Sequence, residues 1–529
     1  MTECLRKLKE KYFLSLWFYP ICLAVTALLT AFSSEGFAWL YVGGAAIIIY
    51  ACRPTSALHS VPSDGKSLLK SICTVLVAVA TIAVCVLPMN KLPIWNGEIP
   101  DHRNQYELMA ESILDGRIDF AYDDDEALSQ LENPYDPQQR NDAGVTYHWD
   151  HAYYEGNYYM YFGVVPVFLA FLPYRIITGT ALTTYHATQL FVAAAIIGIF
   201  MLFRMLTKLF FKNISYSAYL SLSVAFSVMS VWYCTAEPAL YCTAISAAIA
   251  LEIWSLFFFV KGVWGEEKEN RQIFLAGIGA LLGALVFGCR PPIALANILV
   301  LPMLIAFFMQ RKVTLKLIAK LIPAALPYAV VGVALMVYNY VRFDSPFEFG
   351  QAYQLTVADQ TSYTVTLNYE TVIRLINETL NNFFERENIT PQFPYFHTSS
   401  VFFNFPILLF SFFIFKSSVL KEMKNKKILP LSAGLFASVI IITAMDILWT
   451  PFLLERYRMD IYFLIGILCF IAIGFLLSTC AEKYKPLLTS VSVIGAVFTT
   501  ISSFLYLVQT VGNYYPEKVT EIASSLHLI

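Results

Sequence analysis

Membrane-length apolar runs constrain this chain more than any other feature of its sequence. About 20 consecutive apolar residues form a helix long enough to cross the hydrocarbon core of a bilayer, and such runs recur through most of the 529 residues. A mean hydropathy of +0.59 and a 57% share of hydrophobic residues exclude an ordinary soluble globule. The sequence therefore predicts an all-α polytopic membrane protein.

Thirteen runs are candidate transmembrane helices. They lie near 14–33, 37–52, 70–88, 183–206, 214–234, 238–260, 272–289, 292–309, 321–341, 401–416, 428–447, 461–479 and 487–509. The first follows four basic residues and so imitates a signal peptide. Because 33–36 (SSEG) is a poor cleavage site, we expect it to be retained as a helix.

The distribution of Lys and Arg predicts how the chain is threaded, since these residues concentrate on the cytoplasmic side of a membrane. With a cytoplasmic N-terminus, the N-terminal segment and six alternate connections hold 24 of the 36 Lys and Arg residues. These connections lie near 53–70, 204–212, 261–271, 311–320, 416–427 and 483–485. Two large polar segments, about 89–160 and 342–400, are then extracytoplasmic.

The apolar segment 164–177 (VVPVFLAFLPYRII) is too short for a comfortable crossing and contains Pro166 and Pro173. A crossing here would also place every later basic connection outside the cytoplasm. We therefore expect an interfacial or re-entrant helix. A second short helix is expected at 104–116, where apolar residues recur at helical spacing and Gly116 provides a stop.

These features divide the chain into five parts. They are N-terminal transmembrane helices (1–88), a first extracytoplasmic loop with interfacial helices (89–182), central transmembrane helices (183–341), a second extracytoplasmic loop (342–400), and C-terminal transmembrane helices with an outer tail (401–529).

The polar stretch 101–155 is the strongest candidate for a working part of the protein. It contains fourteen Asp or Glu residues against three Arg, in a chain of which only 14% is charged. Long polar loops among apolar segments frequently carry function. Asp101 begins this stretch, and it has two interpretations: a general base toward a hydroxyl, or the N-cap of the following helix.

Arginines on the outer face are the second candidate, because the positive-inside tendency makes them exceptions. They are predicted to lie at the outer ends of three different helices, and guanidiniums held at one depth would suit a phosphate. Alternatively, each reaches lipid headgroups or pairs with a carboxylate. The four candidates are Arg290, Arg342, Arg456 and Arg458.

Other polar and aromatic residues are candidates for substrate contacts. Glu237, in a tight turn before Pro238, could bind a sugar hydroxyl or simply be solvated. The set His148, Asp150 and His151 could bind a divalent cation, although hydrogen bonding within an aromatic loop is the interpretation we favour. Tyrosines such as Tyr158 and Tyr159 could stack on sugar rings or form an interfacial belt.

Several short motifs resemble the GT-C glycosyltransferases, which are integral membrane enzymes that use polyprenyl-phosphate sugars. Asp101 followed by Tyr106, Ala110 and 114–116 (LDG) resembles their first outer loop. Further motifs are similar to bacterial members of the protein mannosyltransferase and aminoarabinose transferase branches: 133–136 (NPYD), 156–163 (GNYYMYFG), 338–343 (YNYVRF), 347–350 (FEFG) and 456–457 (RY). The resemblance covers most of residues 70–480.

The resemblance implies a specific reaction. Asp101 would take the proton of an acceptor hydroxyl, which attacks the anomeric carbon with inversion while the lipid phosphate departs toward Arg456, with Arg458 or Arg290. Tyr106, Asp150 and Tyr457 would contact substrate. Where many relatives have a second acidic residue after the Asp, this chain has His102, which weakens the case for a metal. No cofactor is expected with certainty, and a divalent cation stays open.

The sequence thus predicts a cell-envelope glycosyltransferase in a bacterial cytoplasmic membrane, with an extracytoplasmic active site. Its partners would be a polyprenyl-phosphate sugar, a lipid-linked, wall-polymer or protein acceptor, and the bilayer; no basic tract suggests nucleic acid. The alternatives are a transporter or flippase of lipid-linked glycans, and a non-catalytic membrane subunit.

Overall fold

The structure is a computed structural model of the chain. It describes residues 46, 48–63, 67–87, 89, 104–122, 126–211, 214–361, 365–366, 368–385, 400–449 and 453–525. The expectations for run 14–33 and for most of run 37–52 concern residues outside this description. The candidate base, Asp101, and its neighbour His102 also lie outside it.

Helices make up most of the described chain. In order they are α1 (Leu68–Val86), α2 (Gln105–Leu114), α3 (Glu126–Ser129), α4 (Pro137–Ala143), α5 (Leu172–Thr178), α6 (Thr184–Phe210), α7 (Tyr216–Ala236), α8 (Leu240–Trp264), α9 (Glu269–Val286), α10 (Pro291–Phe308), α11 (Leu315–Phe343), α12 (Tyr369–Phe384), α13 (Val401–Asn404), α14 (Ser417–Asn425), α15 (Leu429–Trp449), α16 (Glu455–Thr479), α17 (Lys485–Tyr514) and α18 (Pro516–Ser525). Short 3₁₀ or π segments occupy Ala57–Ser60, Val167–Phe171, Pro406–Phe415 and Glu482–Tyr484.

Within the described residues, nine helices are long and apolar enough to cross a membrane. They are α1, α6, α7, α8, α10, α11, α15, α16 and α17 with the short turn before it. The prediction of an all-α polytopic membrane protein is confirmed. The number of crossings stays a prediction: run 272–289 forms the 18-residue α9, and run 401–416 forms α13 and the ten-residue 3₁₀ segment Pro406–Phe415.

Polar residues mark where the spans begin. Thr183 caps α6 by accepting a hydrogen bond from the backbone of His186, and Ser215 caps α7 through the backbone of Ala218. Such caps satisfy N–H groups that the first helical turn leaves without partners.

Helices α8 and α16 form the middle of the bundle, since 89% and 94% of their most apolar windows are buried. Helix α8 packs on α6, α9 and α16, and small residues such as Ala244, Ala247 and Ala248 let the backbones approach. Helix α11 is peripheral: none of its apolar window is buried, as expected for a lipid-facing span.

The first polar loop folds around two small elements. Helix α2 buries Tyr106, Met109 and Ala110 completely and ends before Gly116, whose φ is +75°, so the helix predicted at 104–116 is confirmed. The strands β1 (Ala152–Tyr154) and β2 (Asn157–Tyr159) pair as an antiparallel hairpin.

The segment 164–177 forms a π segment and α5, which together run over Val167–Thr178, twelve residues in all. This is too short to span a bilayer as a helix, in agreement with the interfacial or re-entrant helix predicted from the sequence.

Two helix boundaries differ from the sequence prediction and matter for the site. Helix α16 begins at Glu455, six residues before the predicted run, so Arg456 and Arg458 lie in its first turn instead of preceding it. Helix α11 extends to Phe343 and includes Arg342 in its last turn. At both ends the helix extends beyond its run of apolar residues, because charged residues at the end of a helix can face water or protein.

Candidate active site

A cavity of about 520 Å³ lies where the first polar loop meets the ends of α11, α15 and α16 and the connection between α9 and α10. Its polar and aromatic lining includes Trp149, Asp150, Tyr161, Tyr241, Arg290, Tyr338, Asn339, Arg342, Gln354, Asp446, Trp449, Arg456 and Tyr457. Separate elements therefore bring three of the four predicted arginines to one space.

Arg456 is the cavity arginine whose N–H groups are least committed. Its guanidinium carbon lies 4.1 Å from the centre of the Tyr241 ring and 5.6 Å from that of Tyr457. Within the described residues it makes no hydrogen bond or ion pair. Stacking on aromatic faces holds a guanidinium by its plane and leaves the N–H donors at its edge available.

Arg290 is committed to a carboxylate instead. Its Nε lies 2.8 Å from Asp460 Oδ1, and its Nη2 lies 2.7 Å from Asp460 Oδ2. Asp460 is fully buried one turn beyond Arg456 in α16. Burial opposes the charge of Arg290, but attraction to Asp460 outweighs it and raises the pKa of the guanidinium. The guanidinium of Arg290 therefore stays charged.

Arg342 ties α11 to the first loop. Its Nη1 donates to the carbonyl of Met160 at 2.7 Å, and its Nη2 donates to Asn339 Oδ1 at 2.8 Å. The side chain lines the cavity but is almost completely buried, with 4% of the residue exposed. Its contacts with the described residues hold the end of α11 against the first polar loop.

Arg458 does not reach the cavity. Its Nε donates to Asn382 Oδ1 at 3.0 Å, and its Nη1 contacts Glu455 Oε2 at 2.6 Å. Residues two apart in a helix point in different directions, which explains why Arg456 and Arg458 separate once α16 starts at Glu455.

Asp150 provides a carboxylate in the cavity wall. Its Oδ2 accepts a hydrogen bond from the Tyr241 hydroxyl, and its Oδ1 accepts one from Gln354 Nε2 at 2.9 Å. Its backbone carbonyl accepts from Gln105 Nε2 at 2.8 Å. Since Tyr241 also stacks under Arg456, one tyrosine touches both the carboxylate and the guanidinium.

The second polar segment closes one side of the cavity. The Asp150 amide donates to the Leu355 carbonyl at 3.0 Å, the Leu355 amide donates to the His151 carbonyl at 2.9 Å, and the Tyr153 amide donates to the Tyr353 carbonyl at 2.9 Å. Residues 351–360 contribute to the lining. The two polar segments therefore form one structure over the bundle.

Of the other predicted substrate-contact residues, Tyr457 lines the cavity, whereas Tyr158 and Tyr159 are not part of its lining. Tyr158 is buried against His148 and Tyr153, and Tyr159 packs edge-on against Phe343.

Tyr106 and Glu237 both lie away from the lining. Tyr106 is fully buried and stacks on Phe171 with ring centroids 5.2 Å apart. Glu237 Oε2 accepts from the Tyr233 hydroxyl at 2.6 Å.

His151 acts as a hydrogen-bonding partner in this structure, whereas His148 stacks on the Tyr122 ring with centroids 3.6 Å apart. His151 Nδ1 lies 2.9 Å from the Trp149 carbonyl, and its Nε2 lies 3.0 Å from the Tyr122 hydroxyl. Burial lowers the pKa of His151 to about 4, so the ring is neutral near pH 7. Among the described residues, no group of three His, Cys, Asp or Glu side chains could hold a metal ion.

Some lining residues escaped the sequence analysis, among them Tyr241, Gln354 and Asp446. Tyr241 and Asp446 lie within apolar runs, and Gln354 lies in a loop without a motif. A charged residue such as Asp446 inside a span is a signal for function, and that signal could have identified it.

Comparisons with known proteins give likenesses of fold alone. No protein-family profile matches the chain, and no curated protein sequence matches it. It is similar to the solved structure of the archaeal oligosaccharyltransferase AglB from Archaeoglobus fulgidus in complex with an inhibitory peptide and a dolichol-phosphate, with 12% identity, a TM-score of 0.42, and coverage of 84% of this chain and 56% of that one.

It is also similar to the apo form of an Archaeoglobus fulgidus oligosaccharyltransferase, with 12% identity, a TM-score of 0.38, and coverage of 80% of this chain and 56% of that one. The chain therefore aligns with little more than half of each oligosaccharyltransferase. At this similarity neither structure assigns a substrate or a residue's role to this chain.

Proposed function

We propose that this chain is a membrane glycosyltransferase that moves a sugar from a polyprenyl-phosphate donor to a hydroxyl of an acceptor on the extracytoplasmic side. The observation that carries the proposal is Arg456, a guanidinium whose N–H groups have no hydrogen-bond partner among the described residues and which lines a cavity where the polar loops meet the ends of the spans. The motifs that resemble GT-C glycosyltransferases support the same reaction.

In the proposed reaction the acceptor oxygen forms a bond to the anomeric carbon from the face opposite the phosphate. The bond between that carbon and the phosphate oxygen breaks, and both of its electrons stay with the departing phosphate. The acceptor proton passes to Asp101. The step inverts the anomeric configuration and needs no oxidant or cofactor.

Arg456 would stabilise the negative charge that develops on the leaving phosphate. A preorganised cation lowers the barrier because its favourable interaction grows as the charge grows. Arg290 is less suited to direct contact, since its Nε and Nη2 already face the Asp460 carboxylate. Its place in this proposal is to hold α16, and with it Arg456, against the connection between α9 and α10.

The proposed base is supported by the start of α2. The N-cap of that helix is Asn104, whose Oδ1 accepts from the Glu107 amide at 3.1 Å. This helix therefore does not require Asp101 as its cap, which was the competing explanation. Asp150 is the second candidate carboxylate, because it lines the cavity, although its oxygens already accept from Tyr241 and Gln354.

The test is transfer of labelled sugar from a panel of polyprenyl-phosphate sugars in proteoliposomes. We expect transfer by the unaltered protein, loss with Asp101→Asn, and partial loss with Asp150→Asn, with each variant checked for folding by its melting temperature. If only Asp150→Asn abolishes transfer, the base is Asp150. If Asp101→Asn transfers as fast as the unaltered protein, Asp101 has no catalytic role.

A transporter or flippase of lipid-linked glycans is the second candidate. Glu252 favours it, because this carboxyl lies in the span α8 with 1% of the residue exposed, and its Oε2 has no hydrogen-bond partner among the described residues. Ionisable groups inside a bundle often belong to transport pathways. Absence of transfer with every donor, together with lipid movement across proteoliposomes, would favour this function.

A further inference from the structure

The helix α12 of the second polar segment has three distinct faces. Thr371, Leu375, Thr379, Asn382 and Phe383 form the side turned toward the protein, where all five are half-buried or buried. The remaining side chains are exposed, and they separate into an apolar face and a polar face.

The apolar face is large and uncovered by the described chain. Its side chains and their exposed fractions are Tyr369 (80%), Val372 (45%), Ile373 (39%), Ile376 (51%), Leu380 (54%) and Phe384 (50%). At 3.6 residues per turn these six positions fall within an arc of about 120°. The polar face lies beside this arc and carries Glu370, Arg374, Asn377, Glu378 and Asn381.

Two contacts place this helix at the level where spans leave the membrane. Arg374 donates from its Nη2 to the carbonyl of Ile447, two residues before the end of α15. Asn382 accepts from Arg458, in the first turn of α16. Helix α12 therefore braces both sides of the connection between two transmembrane helices, beside the cavity that Asp446 and Arg456 line.

The apolar face is also continuous with the membrane-level surface of the bundle. Phe383 and Phe384 contact the Phe402 ring, with centroids 5.5 Å and 5.0 Å away, and Phe402 in turn contacts Phe412 at 5.5 Å. Phe412 belongs to the apolar segment Pro406–Phe415 and is 40% exposed. An uncovered apolar face that joins a lipid-facing surface is best covered by lipid.

We propose that α12 is a lipid-docked helix, which lies flat in the leaflet at the cavity end of the bundle with its apolar face among acyl chains and its polar face toward water. A large apolar arc next to a face of charged and polar residues is the pattern of helices that lie in the membrane interface. The bilayer then holds one wall of the cavity in place through Ile447 and Arg458.

Photocrosslinking in proteoliposomes tests this inference independently of any transfer activity. The photoreactive amino acid p-benzoylphenylalanine replaces Ile376 or Leu380 on the apolar face, or the matched polar-face residue Glu378 on the same helix. A probe at Ile440, an exposed residue of the span α15, is the positive control for lipid contact. After irradiation, intact mass spectrometry counts lipid adducts, and gel mobility detects protein crosslinks.

We expect lipid adducts at Ile376 and Leu380 to approach the yield at Ile440 and to exceed that at Glu378 by about fivefold or more, because only the apolar face meets acyl chains. Crosslinks to residues 386–399 would assign the face to the following segment of this chain. A crosslinked dimer would assign it to a second copy. Either result, or equal adduct yields at Ile376 and Glu378, overturns the inference.

Discussion

Arg456 differs from the other cavity arginines in its partners. Arg290 faces the buried carboxylate of Asp460, and Arg342 donates to Met160 and Asn339. Arg456 stacks on Tyr241. A guanidinium held by its face can grip a phosphate through its edge, and we therefore expect this residue to carry more of the donor binding than either neighbour.

Arg456→Ala should lower kcat/KM for the donor by about 10²-fold or more, since losing one preorganised donor at a developing oxyanion costs roughly 10²–10³ in rate. Arg456→Lys should keep part of the activity, because it retains charge without the paired N–H groups. Initial rates in proteoliposomes measure both. Arg117→Ala is the control, as this exposed loop arginine pairs with Asp119; equal rates for Arg456→Ala and the control would remove the phosphate role.

His151 links stability to pH through its burial. The folded protein takes up a proton on this ring only near its lowered pKa of about 4, whereas an unfolded histidine does so near 6.5. The unfolded state therefore binds more protons between these values, and stability is lost as pH falls from about 6.5 to about 4. The full difference is roughly 3 kcal/mol.

Melting temperatures of the detergent-solubilised protein between pH 7.5 and 4.5 would measure this loss. We expect His151→Gln, which can still hydrogen-bond to Tyr122, to show a shallower decline. An equally steep decline in the variant would mean that other groups cause the pH dependence. Burial also lowers the pKa of the neighbouring His148, so the double variant should be the least sensitive.

A close backbone approach near the cavity joins the end of the first polar loop to the connection between α9 and α10. The Val165 amide donates to the Gly288 carbonyl at 2.8 Å, and a Cβ on Gly163 would overlap that carbonyl. A side chain at position 163 would force apart the two backbone segments that carry Phe162 and Arg290.

Gly163→Ala should therefore lower the free energy of unfolding by about 1–3 kcal/mol, the usual cost of overpacking, and reduce transfer by displacing Arg290. Thermal melting and initial rates would measure these effects. Gly332→Ala is the matched control: nothing lies within 4 Å of its Cβ position in α11, and alanine favours helix by about 1 kcal/mol. Equal melting temperatures for the two variants would contradict the packing argument.

The orientation of the whole molecule across the membrane is predicted from the distribution of its Lys and Arg residues, and it stays a prediction. Asp142→Cys in the first polar loop should react with a membrane-impermeant maleimide in intact cells. Glu266→Cys, in the turn between α8 and α9, should react only after permeabilisation, because this turn is predicted to be cytoplasmic. Both residues are exposed, so the opposite labelling pattern would invert the assigned orientation.

Much of the architecture was predictable because it depends on local patterns. Nine of the apolar runs correspond to helices long enough to span a membrane, and the helix at 104–116 ends at the expected glycine. The start of α16 was not predictable, because Glu455 to Asp460 looks like a polar connection in sequence. Burial of Asp460 against Arg290 makes those polar residues part of the helix.

The candidate site was predictable only in part. The sequence pointed to Arg290, Arg342 and Arg456 because Lys and Arg concentrate on the cytoplasmic side of a membrane, and arginines predicted on the outer side are exceptions. It could not separate them from Arg458, since the direction of each side chain depends on the helix phase and on which neighbours neutralise it. Tyr241 carried no signal at all, because an aromatic residue in a span is usually a packing residue.

The sequence by itself determined that this chain is a membrane bundle with two polar segments, because hydropathy and charge act on each stretch independently of the others. Only the tertiary structure decided which charged groups share a cavity and which are already paired. That distinction depends on contacts between residues far apart in the chain, such as Arg290 with Asp460 and Asp150 with Gln354. It separates the arginine that we propose holds a phosphate from those that hold the protein together.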